Sequence, residues 1–377
     1  MFTKVNRRSV AAMSTIACLA FGAAACGDDE EEPAAGGGTE STAAAPEKKP
    51  DKVAVLLPDS KSSVRWETAD RPFLDAAFKK AGVEVTIQNA EGDKSTQQQQ
   101  AEQAITNGAK VLLLVNLDSG SGAAIQANAK SQGVKVIDYD RLTLKGSADY
   151  YVSFDNVAVG KLQGEGLVEG LEKSGVEKPA VAVLNGSPTD NNATLFAEGY
   201  NSILKPKFDD GSFSKVDDQS VPDWDNQKAL TIFEQMLQKS SNKVDGVLAA
   251  NDGLGNAAIS ALKQRKLKQI PVTGQDATLE GIQNILAGDQ YMTVYKAIKA
   301  EADAAAGLAI ALAKGEEPPA DLVNGETDDE SRKVPSVLLT PEKITKENIS
   351  KVIEDDFLKR DEVCAGKFES LCTEAGI

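Results

Sequence analysis

The stretch VLLLVNLDSGSGAAIQANAKSQGVKVIDYDRL at residues 111–142 contains the structural unit on which the fold depends. Residues 111–115 and 134–138 are nearly continuous aliphatic runs, which are typical of strands buried on both faces of a sheet. Residues 121–132 between them have the spacing of an amphipathic helix. A strand, a helix and a strand in succession predict two parallel strands joined by a helix that packs on the sheet.

The same alternation continues on both sides of this stretch. Further strands are predicted at 53–57, 83–88, 151–153, 180–184, 246–250, 270–274 and 291–295. Helices are predicted at 66–81, 96–107, 157–172, 192–204, 226–240, 255–265 and 279–287. This order predicts an α/β protein with two doubly wound parallel sheets, the first unit running from about 51 to 155 and the second starting near 156.

Length, charge and the absence of histidine narrow the possible functions. A chain of 377 residues has room for two domains, each with its own core. A formal net charge of -16 argues against binding nucleic acid or an anionic membrane through the protein's own field. The sequence contains no histidine, which excludes Ser-His-Asp and Cys-His catalysis and His-ligated metal sites. Carboxylate, lysine or tyrosine chemistry stays open.

The first fifty residues are predicted to direct export and anchoring. Residues 1–25 combine a basic start with a short apolar stretch and small residues before Cys26, as in a secretory signal peptide. The small residues before Cys26 resemble a bacterial lipobox, which would make Cys26 the lipidated first residue on the outer face of the membrane; ordinary cleavage nearby is the alternative. Arg7-Arg8 leaves twin-arginine export open. Residues 26–50 are acidic and rich in small residues, which predicts a flexible linker.

Two cysteines remain in the body of the chain. Cys364 and Cys372 lie close together near the C-terminus. In an exported chain this spacing predicts a disulfide that holds the C-terminal segment. Two free thiols are the alternative, and a metal pair would need further ligands.

Polar side chains follow almost every predicted strand, and in open parallel sheets ligands bind beyond the carboxyl ends of the strands. These groups are carboxylates, amides and cations, which exchange hydrogen bonds with the hydroxyls of a small sugar. The tryptophans Trp66 and Trp224 lie among them, one in each unit, and an aromatic ring packs well on the apolar face of a pyranose. The remaining strand-end candidates are Arg65, Asp140, Arg141, Asn192, Asn251, Asp276 and Lys296.

Each of these residues also has a purely structural interpretation. An Asp or Asn after a strand is more often a helix N-cap than a ligand. Trp66 could fill the core, and Lys296 could lie on the surface. The residue chemistry alone therefore leaves open whether the strand ends form a sugar site.

Longer segments add a family resemblance. Over roughly residues 52–358 the chain resembles the periplasmic xylose-binding proteins of ABC importers, which belong to the type I sugar-binding family. The segments that carry this resemblance are RWETADRPF (65–73), NAEGDKSTQQQQAEQAITNG (89–108), IDYDRL (137–142), YYVSFDNVAVGKLQG (150–164), GSPTDNNATLF (186–196), NDGLGNAAISAL (251–262), TGQDATLEGIQNILAG (273–288) and MTVYK (292–296).

The resemblance implies the type I periplasmic-binding-protein fold, in which two lobes are joined by three hinge crossings. It places residues 51–154 plus 297–332 in the first lobe and residues 155–296 plus 333–377 in the second. The crossings would then fall near Phe154, Lys296 and Val334.

The resemblance also implies a ligand and a mode of action. The lobes of a monomer would close on an aldopyranose, D-xylose first, with glucose, ribose, arabinose or galactose as alternatives. The loaded protein would then dock on the permease and ATPase subunits of an importer, without a cofactor, a metal or nucleic acid. In the family pattern the tryptophans stack on the sugar and the other groups bond its oxygens. The implied binding residues are Arg65, Trp66, Asp140, Arg141, Asn192, Trp224, Asn251, Asp276 and Lys296.

Other functions have weaker support in the sequence. Residues 253–258 read GLGNAA after a strand, with Asp276 farther on, which is an imperfect dinucleotide-binding pattern. Paired carboxylates would suit a glycosidase. Sugar-responsive DNA-binding regulators share this fold but carry a helix-turn-helix where this chain has a signal and a linker. A sensor that presents sugar to a membrane receptor would use the same site as a transport protein.

Overall fold

The computed structural model describes residues 51–377, in which strands and helices alternate as predicted. The predicted signal peptide, the lipidation site Cys26 and the linker 26–50 lie outside the described residues. The strands are β1 (Lys52–Leu57), β2 (Glu84–Asn89), β3 (Val111–Leu114), β4 (Lys135–Tyr139), β5 (Tyr150–Phe154), β6 (Ala180–Asn185), β7 (Ser214–Ser220), β8 (Gly246–Ala249), β9 (Thr293–Tyr295), β10 (Gly325–Asp328), β11 (Lys333–Leu339) and β12 (Glu342–Ile344).

Helices occupy most of the intervening segments, and the prediction at 279–287 matches its helix at both ends. A π-helical turn, Trp66–Asp70, precedes the first α-helix. The α-helices are α1 (Arg71–Ala81), α2 (Lys94–Thr106), α3 (Ser119–Ser131), α4 (Asn156–Ser174), α5 (Asn191–Asp209), α6 (Asn226–Lys239), α7 (Asp252–Gln264), α8 (Leu279–Ala287), α9 (Ile298–Lys314), α10 (Ser350–Glu354), α11 (Arg360–Val363) and α12 (Glu369–Glu374).

The first lobe is built on a seven-stranded sheet in the order β10-β11-β5-β4-β3-β1-β2. Its pairs are parallel except for β10 and β11, which run antiparallel. Its central aliphatic strands are buried on both faces because helices cover both sides. Phe78 of α1 and Leu308 of α9 belong to the core on one face, whereas Ile105 of α2 and Ile125 of α3 belong to the core on the other.

The second lobe is built around the parallel strands β7, β6 and β8. The strand predicted at 270–274 is reduced to a single bridge between Val272 and Val247, because Pro271 in this segment has no N–H to donate. Strand β7 was not predicted, since its sequence SKVDDQS is polar and its side chains are largely exposed, as at a sheet edge. The β9–β12 pair is antiparallel.

The chain passes between the two lobes at three places. It crosses between β5 and α4, around Phe154, and between β9 and α9, around Lys296. The third crossing differs from the prediction, which placed residues 333–377 in the second lobe. Strand β11 pairs in parallel with β5, so residues 333–339 complete the first sheet and the crossing follows Leu339.

The C-terminal segment packs on the second lobe. Val352, Val363 and Cys364 share an apolar cluster with Ile282 and Ile285 of α8. The structure joins Cys364 to Cys372 by a disulfide, which is the pairing considered from the sequence. Within residues 51–377 no helix is long and apolar enough to cross a membrane.

Candidate functional site

All of the predicted binding residues line one cavity between the lobes, at the carboxyl ends of the strands. In these parallel sheets such strand ends meet at one edge, as the topology rule requires. Sequence reasoning did not select five further lining residues. These residues are Ser62, Ser63, Asp190, Phe196 and Gln275.

Arg65 is the centre of a buried ion cluster in the first lobe. Its Nε and Nη2 donate to the two carboxylate oxygens of Asp70 at 2.8 and 2.7 Å. Its Nη1 donates to Asp140 at 2.8 Å, and Nη2 also donates to Glu301 at 2.7 Å. Burial alone would lower the pKa of Arg65, but the three carboxylates raise it well above its ordinary value. The guanidinium therefore fixes Asp140, and most of its donors are already used.

The π-helical turn explains how residues adjacent in sequence reach this cluster. It places Arg65 at its start and Asp70 at its end, so that the two side chains meet in the protein interior. Tyr139, directly before Asp140, adds a hydrogen bond to Asp70 at 2.6 Å. Such π-helical turns are frequent at functional sites.

The two tryptophans occupy opposite walls and are both buried. Trp66 donates through Nε1 to Ser62, and the guanidinium carbon of Arg65 lies 4.5 Å from its ring centroid. Trp224 donates through Nε1 to Asp190 at 3.1 Å. Its ring lies against Gly186, where an added Cβ would approach it to 2.1 Å, so only glycine fits there.

Asp140 directly follows β4 and lines the cavity on the side of the first lobe. Its φ of 61° lies in the left-handed region, where a non-glycine residue is strained unless its surroundings hold it. The carboxylate accepts from Arg65 at 2.8 Å and from Asn192 at 3.1 Å, and Lys296 lies 3.4 Å away. Burial opposes its ionisation, but Lys296, Arg65 and Arg141 outweigh burial and lower the pKa of Asp140. It is an ionised acceptor at neutral pH.

Asp276 occupies the corresponding place in the second lobe. It also has a left-handed backbone, with φ 94°, and its carboxylate lies 3.6 Å from Lys296. It accepts from Ser63 of the first lobe at 2.9 Å and from Gln275 at 2.8 Å. The ammonium group of Lys296 therefore lies between one carboxylate of each lobe.

Two more side chains link the walls of the cavity. Asn251 caps α7 through its oxygen and donates from Nδ2 to the backbone of Ser62 at 3.3 Å. Asn251 is therefore a helix N-cap, as the structural interpretation of a strand-end Asn expects, and its amide group also lines the cavity. Arg141 lies 3.1 Å from Asp190 and donates to Ser62 Oγ at 3.2 Å. First-lobe groups thus meet second-lobe groups directly.

These contacts leave little free space. The cavity measures about 30 Å³, which is too small for a sugar ring. A ligand must therefore open the lobes and replace hydrogen bonds such as that between Ser63 and Asp276. Hydroxyl groups can do so because each one both donates and accepts.

Asp70 and Glu301 support the site but were not predicted. Asp70 lies only four residues from Trp66, at the end of a turn that the sequence pattern merged with α1. Glu301 lies in the alanine-rich segment IKAEADAAAGLAIALAK and is fully buried. A lone acid among the apolar positions of a helix was the available signal, since such a group must have a buried partner.

A comparison with protein-family models places residues 53–317 in the family described as a periplasmic binding protein domain. The D-xylose-binding periplasmic protein of Escherichia coli is 40% identical over 303 residues, covering 79% of this chain and 88% of that protein. The multiple sugar-binding periplasmic receptor ChvE of Rhizobium radiobacter is 34% identical, with 82% of this chain and 92% of the receptor covered.

Solved structures show the same architecture. An ABC transporter solute-binding protein from Clostridium phytofermentans, with bound β-D-glucose, superposes with a TM-score of 0.77 at 30% identity and covers 83% of this chain and 99% of its own. A carbohydrate transporter solute-binding protein from Chloroflexus aurantiacus, in complex with D-glucose, gives 0.75 at 29% identity, with 82% and 97% covered. The predicted two-lobed α/β fold is therefore confirmed.

Proposed function

Because the chain belongs to the periplasmic binding protein family, as a sugar-binding protein of the ABC importer type, we propose that it captures D-xylose and delivers it to an importer. Members of this family bind and carry solutes, so the chain is a transport protein and not an enzyme. The observation that carries the choice of xylose is the 40% identity to a D-xylose-binding protein over most of both chains.

The site supports a neutral polyol as the ligand. Asp140 and Asp276 offer carboxylate acceptors, whereas Arg141 and Lys296 offer cationic donors, so a ring of hydroxyls finds partners of both kinds. The buried charges largely compensate one another through ion pairs, which leaves no strong field for an anionic or cationic ligand. Trp224 supplies an aromatic surface for the C–H face of a pyranose.

The mode of capture is closure of the two lobes around the sugar. Groups of both lobes meet at the cavity, and the chain crosses between the lobes at three places that can act as a hinge. A sugar that bonds both walls stabilises the closed arrangement relative to the open one, and closure then presents the loaded form to the importer.

A second candidate ligand is D-glucose. Two solved relatives at 30% and 29% identity contain glucose. Glucose differs from xylose by one hydroxymethyl group, so exclusion of glucose depends on how tightly the closed walls fit that end of the ring.

Calorimetric titration with D-xylose, D-glucose, D-galactose, D-ribose and L-arabinose tests the proposal. We expect D-xylose to bind about tenfold or more tightly than glucose, since one extra hydroxymethyl group in a tight pocket is discriminated to that extent. Equal or tighter binding of glucose would overturn the choice of xylose while sugar capture stands. No binding of any of these sugars would overturn sugar capture itself.

We also propose that Cys26 carries a lipid that holds the protein at the outer face of the membrane. This proposal rests on the sequence before Cys26 and on the acidic linker that follows. We expect globomycin, which blocks lipoprotein signal cleavage, to accumulate the precursor in the producing cell. Cys26→Ser should release the protein from the membrane fraction, and unchanged fractionation of this variant would contradict the anchor.

A further inference from the structure

A chamber of about 620 Å³ adjoins the cavity on one side. This volume lies within the range of about 300–1,000 Å³ that is usual for ligand pockets. Ser62, Ser63, Asn251 and Asp276 line both spaces, so the chamber and the cavity share a wall. At that wall the hydrogen bond from Ser63 to Asp276 joins the two lobes. Asn251 also donates to the backbone of Ser62 at this wall, so two hydrogen bonds between the lobes separate the spaces.

The lining of the chamber suits hydroxyl groups. Lys61, Lys263 and Lys367 line part of it, and Lys263 is already paired with Asp289. Most of its other polar side chains come from the first turns of α6 and α8 and from one face of α7 and α8. They are four amides, one hydroxyl and one carboxylate, and amides and hydroxyls bond neutral hydroxyls without requiring charge on the ligand. These side chains are Asn226, Asn256, Thr278, Glu280, Gln283 and Asn284.

The disulfide-closed C-terminal loop supplies an aromatic ring to the same chamber. Phe368 lines it and is half-buried, in the loop between Cys364 and Cys372. Gln283 of α8 donates to the backbone of Val363 at 3.3 Å, which fixes this loop against the chamber. An aromatic ring beside a group of amides is the combination that packs on and bonds a sugar ring.

A second chamber, of about 230 Å³, adjoins the cavity on the opposite side. Its lining is dominated by charged side chains, including Glu91, Lys94, Asp223 and Asp225. A neutral sugar there would face mainly charged groups that already have partners, such as Lys94, which pairs with Asp118. The larger, amide-lined chamber is therefore the better site for a second sugar ring.

We propose that the chamber lined by Phe368 is a second sugar subsite, which holds the neighbouring unit of a disaccharide whose terminal aldopyranose occupies the cavity. This inference rests on the proposed function of the cavity. The glycosidic link passes where Ser63 and Asp276 now meet, so the subsite acts only when a ligand has displaced that hydrogen bond.

Calorimetry with D-xylose and with xylobiose, cellobiose and maltose tests the subsite on the full chain and its variants. We expect at least one disaccharide to bind the unmodified protein. Phe368→Ala should weaken disaccharide binding by about three- to tenfold, the loss of one aromatic contact, and leave D-xylose binding unchanged. Phe208→Ala, a half-buried aromatic residue at the end of α5, and Lys94→Ala, in the opposite chamber, should change neither.

The possible outcomes separate the two proposals. Binding of D-xylose without binding of any disaccharide overturns the subsite and leaves the proposed function intact. Binding of neither kind of sugar overturns both. Disaccharide binding that Lys94→Ala weakens and Phe368→Ala does not would place the second unit in the opposite chamber and overturn this assignment.

Discussion

Asp140 and Asp276 occupy equivalent places in the two lobes but have different surroundings. Each follows the end of a strand region, each has a left-handed backbone, and each faces Lys296. Asp140 belongs to an ion cluster with Arg65, Asp70 and Glu301 of its own lobe, and it also accepts from Asn192 of the second lobe. Within residues 51–377 Asp276 has no arginine partner, and it accepts from a serine of the opposite lobe.

This difference indicates that the two lobes hold their carboxylates in different ways. The first lobe holds the Asp140 carboxylate through ion pairs made within that lobe, which need no contact with the second lobe, so we expect this side of the cavity to be preorganised. The second lobe's carboxylate bonds Ser63 only while the lobes are together, so its bond is exchangeable for a sugar hydroxyl. We therefore expect substitutions in the first wall, formed around Asp140 and Arg65, to lower the free energy of unfolding. Substitutions in the second wall, formed around Asp276 and Trp224, should mainly weaken sugar binding.

Arg65→Ala should produce the largest effect on stability. It would leave Asp70, Asp140 and Glu301 buried without their cation, a loss of about 3–5 kcal/mol in the free energy of unfolding. Chemical denaturation measures this free energy. Arg71→Ala, six positions along the same segment, is the control, because its partly exposed pair with Glu67 should contribute about 1 kcal/mol or less. If both variants lost a similar free energy of unfolding, the buried ion cluster around Arg65 would not be what stabilises the first lobe's side of the cavity.

The two aspartates can be compared directly by Asp140→Asn and Asp276→Asn. The first substitution removes the charge from the hydrogen bonds that Asp140 accepts from Arg65 and Asn192, and it should lower the free energy of unfolding by about 1.5–3 kcal/mol. The second should lower it by less than about 1 kcal/mol, because neutral hydrogen bonds to serine and glutamine remain possible. Denaturation and D-xylose titration of both variants check this, and equal losses of stability would remove the distinction between the walls.

Trp224→Ala should weaken sugar binding by about 1–3 kcal/mol, the contribution of a buried aromatic contact. Titration with D-xylose measures the loss. Phe208→Ala serves as the control for removing an aromatic residue elsewhere in the second lobe, and it should leave affinity unchanged. Unchanged affinity in the Trp224 variant would contradict a stacking role in the second wall.

Glu301→Gln should change how stability depends on pH. Burial raises the pKa of Glu301, and although Arg65 lowers it, Asp140 and Asp70 add to the increase. The folded protein then holds this proton more tightly than the unfolded chain, so the contribution of Glu301 to stability falls as pH rises from mildly acidic to mildly alkaline.

Glu301→Gln has no such proton to lose. Unfolding free energies at pH 5 and pH 9 should therefore show the unmodified protein losing stability relative to the variant at the higher pH. A difference between the two proteins that stays constant, or that changes in the opposite direction, would contradict the raised pKa.

The sequence predicted the parts of the fold that follow from hydrophobic pattern. The aliphatic strands of the first sheet and the helix at 279–287 were located because burial on both faces and 3.6-residue periodicity leave clear patterns. The edge strand β7 was missed because its polar sequence has no apolar pattern. The segment around Pro271 was predicted as a full strand because it has an apolar pattern, but only Val272 pairs with a neighbouring strand.

The residues of the candidate site, like the elements of the fold, were predicted only in part. Residues directly after strands were found because topology requires those positions to meet, as for Asn251 and Asp276. Glu301 was missed because it does not follow a strand: it lies in α9, which begins just after the second predicted crossing near Lys296, and only tertiary packing brings it to Arg65. The assignment of 333–339 to the first sheet was missed because the strand pairs with β5, whose residues lie 185 positions earlier in the chain, as for Ser336 and Tyr151.

A crystal structure of the chain grown with D-xylose tests whether the two lobes capture the sugar between them. We expect one pyranose between the lobes, packed on Trp224, bonded to Asp140 from the first lobe and to Asn251 or Asp276 from the second, with the bond between Ser63 and Asp276 replaced. A sugar that contacts a single lobe, or that binds outside this cleft, would contradict it.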